Sequence, residues 1–141
     1  MAEQTDIITV LLVEDNESLR DVLRCTMEEA GYRVLTADNG LKALQIAENT
    51  PIDVVVTDIL MPELDGLELI VELKTRNLSC PIIAMTGGGS MLVNTIGKLN
   101  VRYADVFGTH HTLKKPFLPG ELIDVLETVL SEDPLPARPA K

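Results

Sequence analysis

The polar side chains that could do chemistry in this sequence each follow a short apolar run. Two carboxylates, Glu14 and Asp15, follow the first run, and a third, Asp58, follows a later one. Thr86 closes a further run, and Lys115 comes after a weaker one near the end of the chain. Carboxylates held close together repel one another, and their ionised forms become stable when a cation lies between them. Such a cluster favours Mg²⁺, and with a hydroxyl and an ammonium it is typical of phosphoryl transfer onto a carboxylate.

The runs that precede these residues are typical of strands buried on both faces of a parallel sheet. They are Ile7 to Val13, Arg33 to Ala37, Val54 to Val56, Ile82 to Met85 and Thr109 to Leu113. Ligands of such sheets bind outside the carboxyl ends of the strands. The polar residues that follow the runs are therefore expected to meet at one edge of the sheet.

Helical patterns alternate with these runs, which predicts an α/β fold: a doubly wound parallel sheet with helices on both faces. Gly31 closes the first helical pattern, Asn39 is positioned to cap the second, Asp65 opens the third and Pro119 precedes the last. The apolar positions of the four patterns are Leu19, Val22, Leu23, Met27 and Ala30; Leu41, Leu44 and Ala47; Leu67, Ile70 and Val71; and Leu122, Val125, Leu126 and Val129.

The length of 141 residues fits one domain, which we place at residues 1–130. Residues 131–141 contain three prolines and no apolar pattern, so we expect a disordered tail. The net charge of −10 argues against nucleic acid as a direct partner, because phosphate backbones attract basic surfaces.

The cysteines and the N-terminus bear on the compartment. Cys25 and Cys80 lack CxxC spacing, which favours reduced, partly buried thiols in a cytoplasmic protein over a zinc site or a disulfide. Met1 to Asp6 is too polar for a signal peptide. The longest apolar run is too short to cross a bilayer, so no membrane insertion is expected.

Four motifs in order resemble the receiver domain of bacterial two-component response regulators, over about residues 7 to 130. The strongest is Val54 to Gly66, V-V-V-T-D-I-L-M-P-E-L-D-G, which resembles the family's apolar strand, phosphoacceptor aspartate and M-P-x-x-D-G segment. Leu11 to Glu17, L-L-V-E-D-N-E, resembles the first strand and its acidic pair. Pro81 to Gly87, P-I-I-A-M-T-G, resembles the fourth strand and its threonine, and K-P-F at Lys115 resembles the Lys-Pro turn.

The resemblance implies a role for each matching position. Asp58 is the implied phosphoacceptor. Asp15 and Asp58 would bind Mg²⁺ through their side chains, with Glu14 binding directly or through water and Leu60 through its backbone carbonyl. It also implies a five-stranded sheet in the flavodoxin-like order 2-1-3-4-5.

By the same resemblance, Thr86 and the Gly87 amide would hold the phosphoryl oxygens, and Lys115 would pair with them. The Lys115–Pro116 bond would be cis, a form found almost only before proline. The implied protein is a stand-alone signalling module of a phosphorelay and not an enzyme, beyond catalysing its own aspartyl phosphorylation and dephosphorylation. Its partners would be a sensor histidine kinase or a histidine phosphotransfer protein, and a downstream protein target.

The sequence departs from the family pattern near the expected switch. Thr112 stands where the family has an aromatic residue, and Gly87-Gly88-Gly89 follows the threonine. The stretch from Thr86 to Gly108 is also longer than usual. We therefore expect the switch to run through Thr86 and the glycine loop. His110 and His111 fall where the resemblance places loop or strand-start residues, and we expect no chemical role for them.

Three other functions share parts of this pattern. A phosphatase of the haloacid dehalogenase type also uses an aspartate after a strand, but it needs a second aspartate where this chain has Leu60. A flavin-binding domain of the same topology needs a phosphate-binding loop where Glu14 to Glu17 would repel the phosphate. A receiver-like module that only binds proteins would have no need of the set Asp58, Thr86 and Lys115.

Overall fold

The computed structural model describes residues 7–58, 69, 72, 80–86 and 109–132. Five parallel strands form one sheet: β1 (Thr9–Val13), β2 (Arg33–Ala37), β3 (Val54–Asp58), β4 (Ile82–Thr86) and β5 (Thr109–Lys114). The helices with described bounds are α1 (Glu17–Glu29), α2 (Gly40–Asn49) and α3 (Pro119–Glu132). In this part of the chain, no helix is long and apolar enough to span a membrane.

The strand order is β2-β1-β3-β4-β5, which confirms the predicted topology. In the register, Val10 on β1 lies opposite Val34 on one side and Val54 on the other. All five residues of β3 are buried, as are those of β1. Continuous burial explains why these strands read as unbroken apolar runs and not as alternating patterns. Because β3 is the middle strand, whatever follows it has neighbours on both sides.

Two apolar layers cover the sheet, one on each face, as the doubly wound prediction requires. On one face, α1 and α3 pack against the strands through Leu23, Met27, Leu122 and Leu126, all fully buried. On the other face, α2 packs against the strands through Ala43, Leu44 and Ala47. The helical residue Leu69 belongs to the same apolar cluster. Burial of these apolar side chains is the main favourable term that holds the helices in place.

The structure confirms Gly31 and Asn39 at their predicted helix ends and adds Asn16 as a cap, whereas Asp65 lies outside the described residues. Asn16 caps α1 by accepting a 2.9 Å hydrogen bond from the Leu19 amide, and Asn39 caps α2 in the same way. Gly31 adopts a φ of 101° and closes α1. At the start of α3, the Leu118 amide donates to the Glu121 carboxylate at 3.0 Å. Each cap satisfies backbone groups that the helix itself cannot pair.

The predicted apolar stripes were partly wrong. Val22 and Leu41 are about half exposed, and Ala30 is exposed. The buried line of α1 runs through Leu23 and Met27, four residues apart, and neighbouring helix positions such as 22 point about 100° away from it. Leu69, outside the predicted third stripe, is fully buried. The predicted members of that stripe lie outside the described residues.

Three further predictions need correction: the burial of Cys25, the start of β1 and the end of α3. Cys25 is exposed, contrary to the predicted partial burial, whereas Cys80 is partly buried. β1 begins at Thr9 and leaves Ile7 exposed. Helix α3 continues to Glu132, two residues into the predicted tail, and the rest of that tail lies outside the described residues.

Candidate functional site

The carboxyl edge of the sheet brings the predicted polar residues together. Glu14 and Asp15 follow β1, Asp58 ends β3, and Lys115 follows β5. Thr86 ends β4, where its backbone lies opposite Lys114 in the register. The carboxyl ends of four strands thus place these residues at the same edge of the sheet, as the parallel direction of the strands requires.

Lys115 bridges two of the carboxylates. Its Nζ donates to Glu14 Oε1 at 2.9 Å and to Asp58 Oδ2 at 3.0 Å. The two carboxylate side chains are nearly buried, at 1% and 9% exposed, and that of Lys115 is 23% exposed. Charge-assisted hydrogen bonds between groups so poorly hydrated are stronger than those between neutral groups at the surface. The ammonium is therefore a fixed counter-ion inside the site.

Glu14, Asp15 and Asp58 can present one carboxylate oxygen each within 4.8 Å of one another. Glu14 and Asp58 are buried, and Asp15 is exposed on the solvent side of the group. Oxygen ligands in a small, partly open cluster suit a hard divalent cation that retains some of its waters. These three residues fit Mg²⁺.

Burial and the neighbouring charges together shift the pKa values of Glu14 and Lys115. Burial raises the pKa of Glu14, and the Asp58 charge adds to this rise, although the hydrogen bond from Lys115 opposes it. Burial by itself would lower the pKa of Lys115, but its hydrogen bonds to Glu14 and Asp58 outweigh burial and raise it. Lys115 therefore stays charged across the physiological range.

The loop after β1 is held at three points. The Glu14 amide donates to the Ala37 carbonyl at 3.0 Å, and Glu14 Oε2 accepts from the Asn16 amide at 3.0 Å. The Arg20 guanidinium donates to the Glu14 carbonyl at 2.9 Å. Sequence reasoning missed Arg20. Its position in the first turn and a half of α1, just after an acidic pair, was the only available signal.

Other predicted positions are only partly described. The Lys115–Pro116 bond is cis, as predicted. Leu60 and Gly87 lie outside the described residues, as does the glycine loop. The backbone of Thr112 lies in β5 opposite Ala84, and a register shift beside Ile82 makes room for one extra residue in β5.

The fold and this edge define a class of protein: a doubly wound α/β domain with a carboxylate cluster and a lysine at the carboxyl ends of its strands. Residues 10–127 match the family model of the response regulator receiver domain. The chain belongs to this family and is a receiver domain of the two-component response regulator type.

Curated relatives agree with this assignment. The chain is 30% identical over 128 residues to the alkaline phosphatase synthesis transcriptional regulatory protein PhoP of Bacillus subtilis, covering 91% of this chain and 50% of that protein. It is 33% identical over 122 residues to the response regulator SaeR of Staphylococcus aureus, covering 86% of this chain and 50% of that protein. The chain thus spans about half the length of these relatives.

Solved structures share the fold. The chemotaxis protein CheY4 of Vibrio cholerae superposes with a TM-score of 0.72 at 32% identity, covering 89% of this chain and all of that one. A CheY-like receiver domain protein of Methanospirillum hungatei gives a TM-score of 0.78 at 26% identity, covering 92% and 98%. These similarities support the assigned family over the phosphatase and flavin-binding alternatives.

Proposed function

We propose that this domain accepts a phosphoryl group on Asp58 from a phospho-histidine donor, and that the modified edge changes how a protein partner binds. One observation carries the proposal: the Asp58 carboxylate lies 3.0 Å from the Lys115 ammonium and within a cluster of three carboxylates. A nucleophile needs an unprotonated oxygen, and a neighbouring cation stabilises that charged form. The same cation can then face the incoming phosphoryl oxygens.

Mg²⁺ would be held by Asp15 and Asp58 through their side chains, by Glu14 directly or through water, and by the Leu60 carbonyl. When bound, the ion offsets negative charge on the carboxylates and on the approaching phosphoryl group. The exposed Asp15 leaves one side of the cluster open to the donor.

In the transfer step, an Asp58 carboxylate oxygen forms a bond to phosphorus as the bond from phosphorus to the donor's imidazole nitrogen breaks. The bonding electron pair stays on the imidazole nitrogen. The ring leaves neutral when its other nitrogen carries a proton, and otherwise becomes neutral by taking one up from solvent. Charge spreads over the three equatorial phosphoryl oxygens during such a transfer. Lys115, the Thr86 hydroxyl and the Gly87 amide would hold those oxygens.

Among the described residues Lys115 has two hydrogen-bond partners, and a phosphoryl oxygen would add another. Its ammonium has three donors, of which two are engaged by Glu14 and Asp58. A phosphoryl oxygen on Asp58 would accept from the third donor, and its added negative charge would draw the ammonium towards it and weaken the hold on Glu14. The modification would thus be felt in the loop after β1 as well as at β3.

The family assignment and this chemistry together support a biological setting. The donor would be a sensor histidine kinase or a histidine phosphotransfer protein in the bacterial cytoplasm, and the output would pass to a downstream protein target. Because the phosphoryl group remains on the chain until it is hydrolysed or passed on, the domain would act as a signalling module that catalyses only its own modification.

Intact-mass spectrometry tests the proposal. The chain, incubated with acetyl phosphate and Mg²⁺, should gain the mass of one phosphoryl group, and the Asp58→Asn variant should gain none. Asp53→Asn is the matched control, because Asp53 lies at the opposite end of β3, where its carboxylate accepts a 2.8 Å hydrogen bond from the Thr9 amide. Asp53→Asn should label like the wild type. Labelling of Asp58→Asn, or equal labelling in a chelator, would refute the proposal.

A further inference from the structure

Arg20 contacts the proposed metal site through the backbone. Its guanidinium donates a 2.9 Å hydrogen bond to the Glu14 carbonyl in a partly buried position. No carboxylate of the cluster is its hydrogen-bond partner among the residues described. The next arginine on the helix, Arg24, instead forms side-chain ion pairs with Asp21 and Glu28 at the exposed surface.

The bond to the Glu14 carbonyl matters for Asp15. The carbonyl of residue 14 and the amide of residue 15 belong to one planar peptide unit. Fixing that carbonyl therefore fixes the orientation of the unit that leads into Asp15. Glu14 is anchored independently, through the Ala37 carbonyl, the Asn16 amide and Lys115. Asp15 is the exposed member of the cluster and depends more on its backbone for its position.

We infer that Arg20 is a positioning residue for the Mg²⁺ site: its bond to the Glu14 carbonyl holds the Glu14–Asp15 peptide so that the Asp15 carboxylate faces the cluster. The inference rests on the proposed function. It predicts that loss of the guanidinium weakens Mg²⁺ binding. Groups that orient metal ligands from outside the coordination shell typically change metal affinity by tenfold or more.

A purely electrostatic role predicts the opposite sign. A cation near a metal site repels the incoming ion, so its removal would tighten Mg²⁺ binding. Arg20 also acts on Asp38, whose pKa is lowered chiefly by a hydrogen bond from Lys42 and to a smaller extent by the Arg20 charge. Because Arg20 is partly exposed, solvent screens its charge, and the orienting effect is expected to win.

Mg²⁺ titration of the full chain by calorimetry, with the amide shifts of Asp15 and Asn16 followed by NMR, separates these roles. Arg20→Met should raise the Mg²⁺ Kd about tenfold, and Arg20→Lys, which retains charge and a donor of similar reach, should recover most of that loss. Arg24→Met is the matched control, since it removes an arginine one turn along the same helix, and its Kd should equal that of the wild type. Thermal unfolding without metal should show both variants folded, with the larger loss in Arg20→Met, which leaves the partly buried Glu14 carbonyl without this donor.

The outcomes are distinct. An unchanged or tighter Kd in Arg20→Met, with normal binding by the wild type, overturns the inference and leaves the proposed function standing. A wild-type chain that shows no saturable Mg²⁺ binding refutes the metal site itself. If Arg20→Met does not fold, Arg20→Gln replaces it: a raised Kd with shifted Asp15 and Asn16 amides supports the inference, and an unchanged or tighter Kd overturns it.

Discussion

Lys115 gives the site a resident positive charge. Its ammonium lies between Glu14 and Asp58, which are nearly buried and would otherwise face one another unscreened. If the ammonium were removed, the two carboxylates would remain buried without a counter-ion to offset the free-energy cost of their lost hydration. The lysine therefore stabilises the fold before any phosphoryl group arrives.

Lys115→Met should lower the free energy of unfolding by about 1–3 kcal/mol in the absence of metal. Mg²⁺ should restore more stability to this variant than it adds to the wild type. Without the lysine the carboxylates should bind the ion more tightly, and tighter binding to the folded form adds more stability. Urea unfolding with and without Mg²⁺ measures both effects.

Lys42→Met is the control for that experiment. Its ammonium pairs with Asp38 at 3.1 Å on the exposed surface, where ion pairs contribute little. It should change neither the stability nor the response to Mg²⁺. A Lys115→Met protein as stable as the wild type, with an ordinary response to the metal, would contradict the role given to Lys115.

The two thiols should react very differently. Cys25 is exposed on α1, whereas burial raises the pKa of Cys80 to about 11. The thiolate is the reactive form, and three pH units below such a pKa only about one thiol in a thousand is ionised. A chromogenic disulfide reagent at pH 8 should show one fast thiol, with the second released by denaturant. Cys25→Ser should abolish the fast phase, and a fast phase that survives would contradict this assignment.

At the scale of elements, the end of α1 shows how one backbone angle sets a boundary. The Tyr32 amide donates to the Met27 carbonyl at 3.1 Å, and the Gly31 amide donates to the Glu28 carbonyl at 3.0 Å. This pair of bonds is the Schellman motif, which requires a left-handed residue between the helix and the next segment. Gly31 supplies it at a φ of 101° and directs the chain into β2.

Gly31→Ala should lower the free energy of unfolding by about 1 kcal/mol, because a Cβ disfavours this left-handed angle. Apart from its chain neighbours, no described residue has an atom within 4 Å of the added Cβ, so the effect is conformational and not a clash. Gly120→Ala is the matched control, since its Cβ also meets open space and its φ is not left-handed. Urea unfolding should find Gly120→Ala as stable as the wild type or more so, and equal losses in the two variants would refute the argument.

At the scale of the whole molecule, the balance of charge is the strongest constraint on partners. The chain carries 22 acidic residues against 12 basic ones. Such a surface repels nucleic acid, whose binding proteins depend on neutralising phosphates with lysine and arginine. One relative is a transcriptional regulatory protein, and the region that it shares with this chain makes up half of its length.

This chain by itself should not bind duplex DNA. Fluorescence anisotropy of a labelled duplex should show no saturable change at physiological salt, and lower salt should not create one, because weaker screening strengthens repulsion between like charges. Polylysine in the same buffer serves as the positive control. Saturable binding that weakens as salt is added would reveal a basic surface and contradict the prediction.

The sequence alone predicted the five strands and their order along the chain, because each contains a local apolar run. The candidate site residues lie at the ends of these strands or just beyond them. The sequence also determined the caps, because Asn39 and Gly31 act on backbone groups within a few residues of themselves. The fold class followed from the alternation of these patterns, and the candidate roles of Glu14, Asp15, Asp58, Thr86 and Lys115 followed from their positions at strand ends. The roles of Leu60 and Gly87 came from the family resemblance. The strand order 2-1-3-4-5 came from the family resemblance.

Only the tertiary structure decided how the site residues meet. Lys115 bonds to Glu14 across 101 positions of sequence, and no local pattern specifies which of three carboxylates a lysine will bridge. The burial of Glu14 beside the exposure of Asp15 has the same origin, as does the turn of α1 that aims Arg20 at the Glu14 carbonyl. These contacts depend on the register of the sheet and on how the helices rotate against it, and both are set by the packing of the whole core.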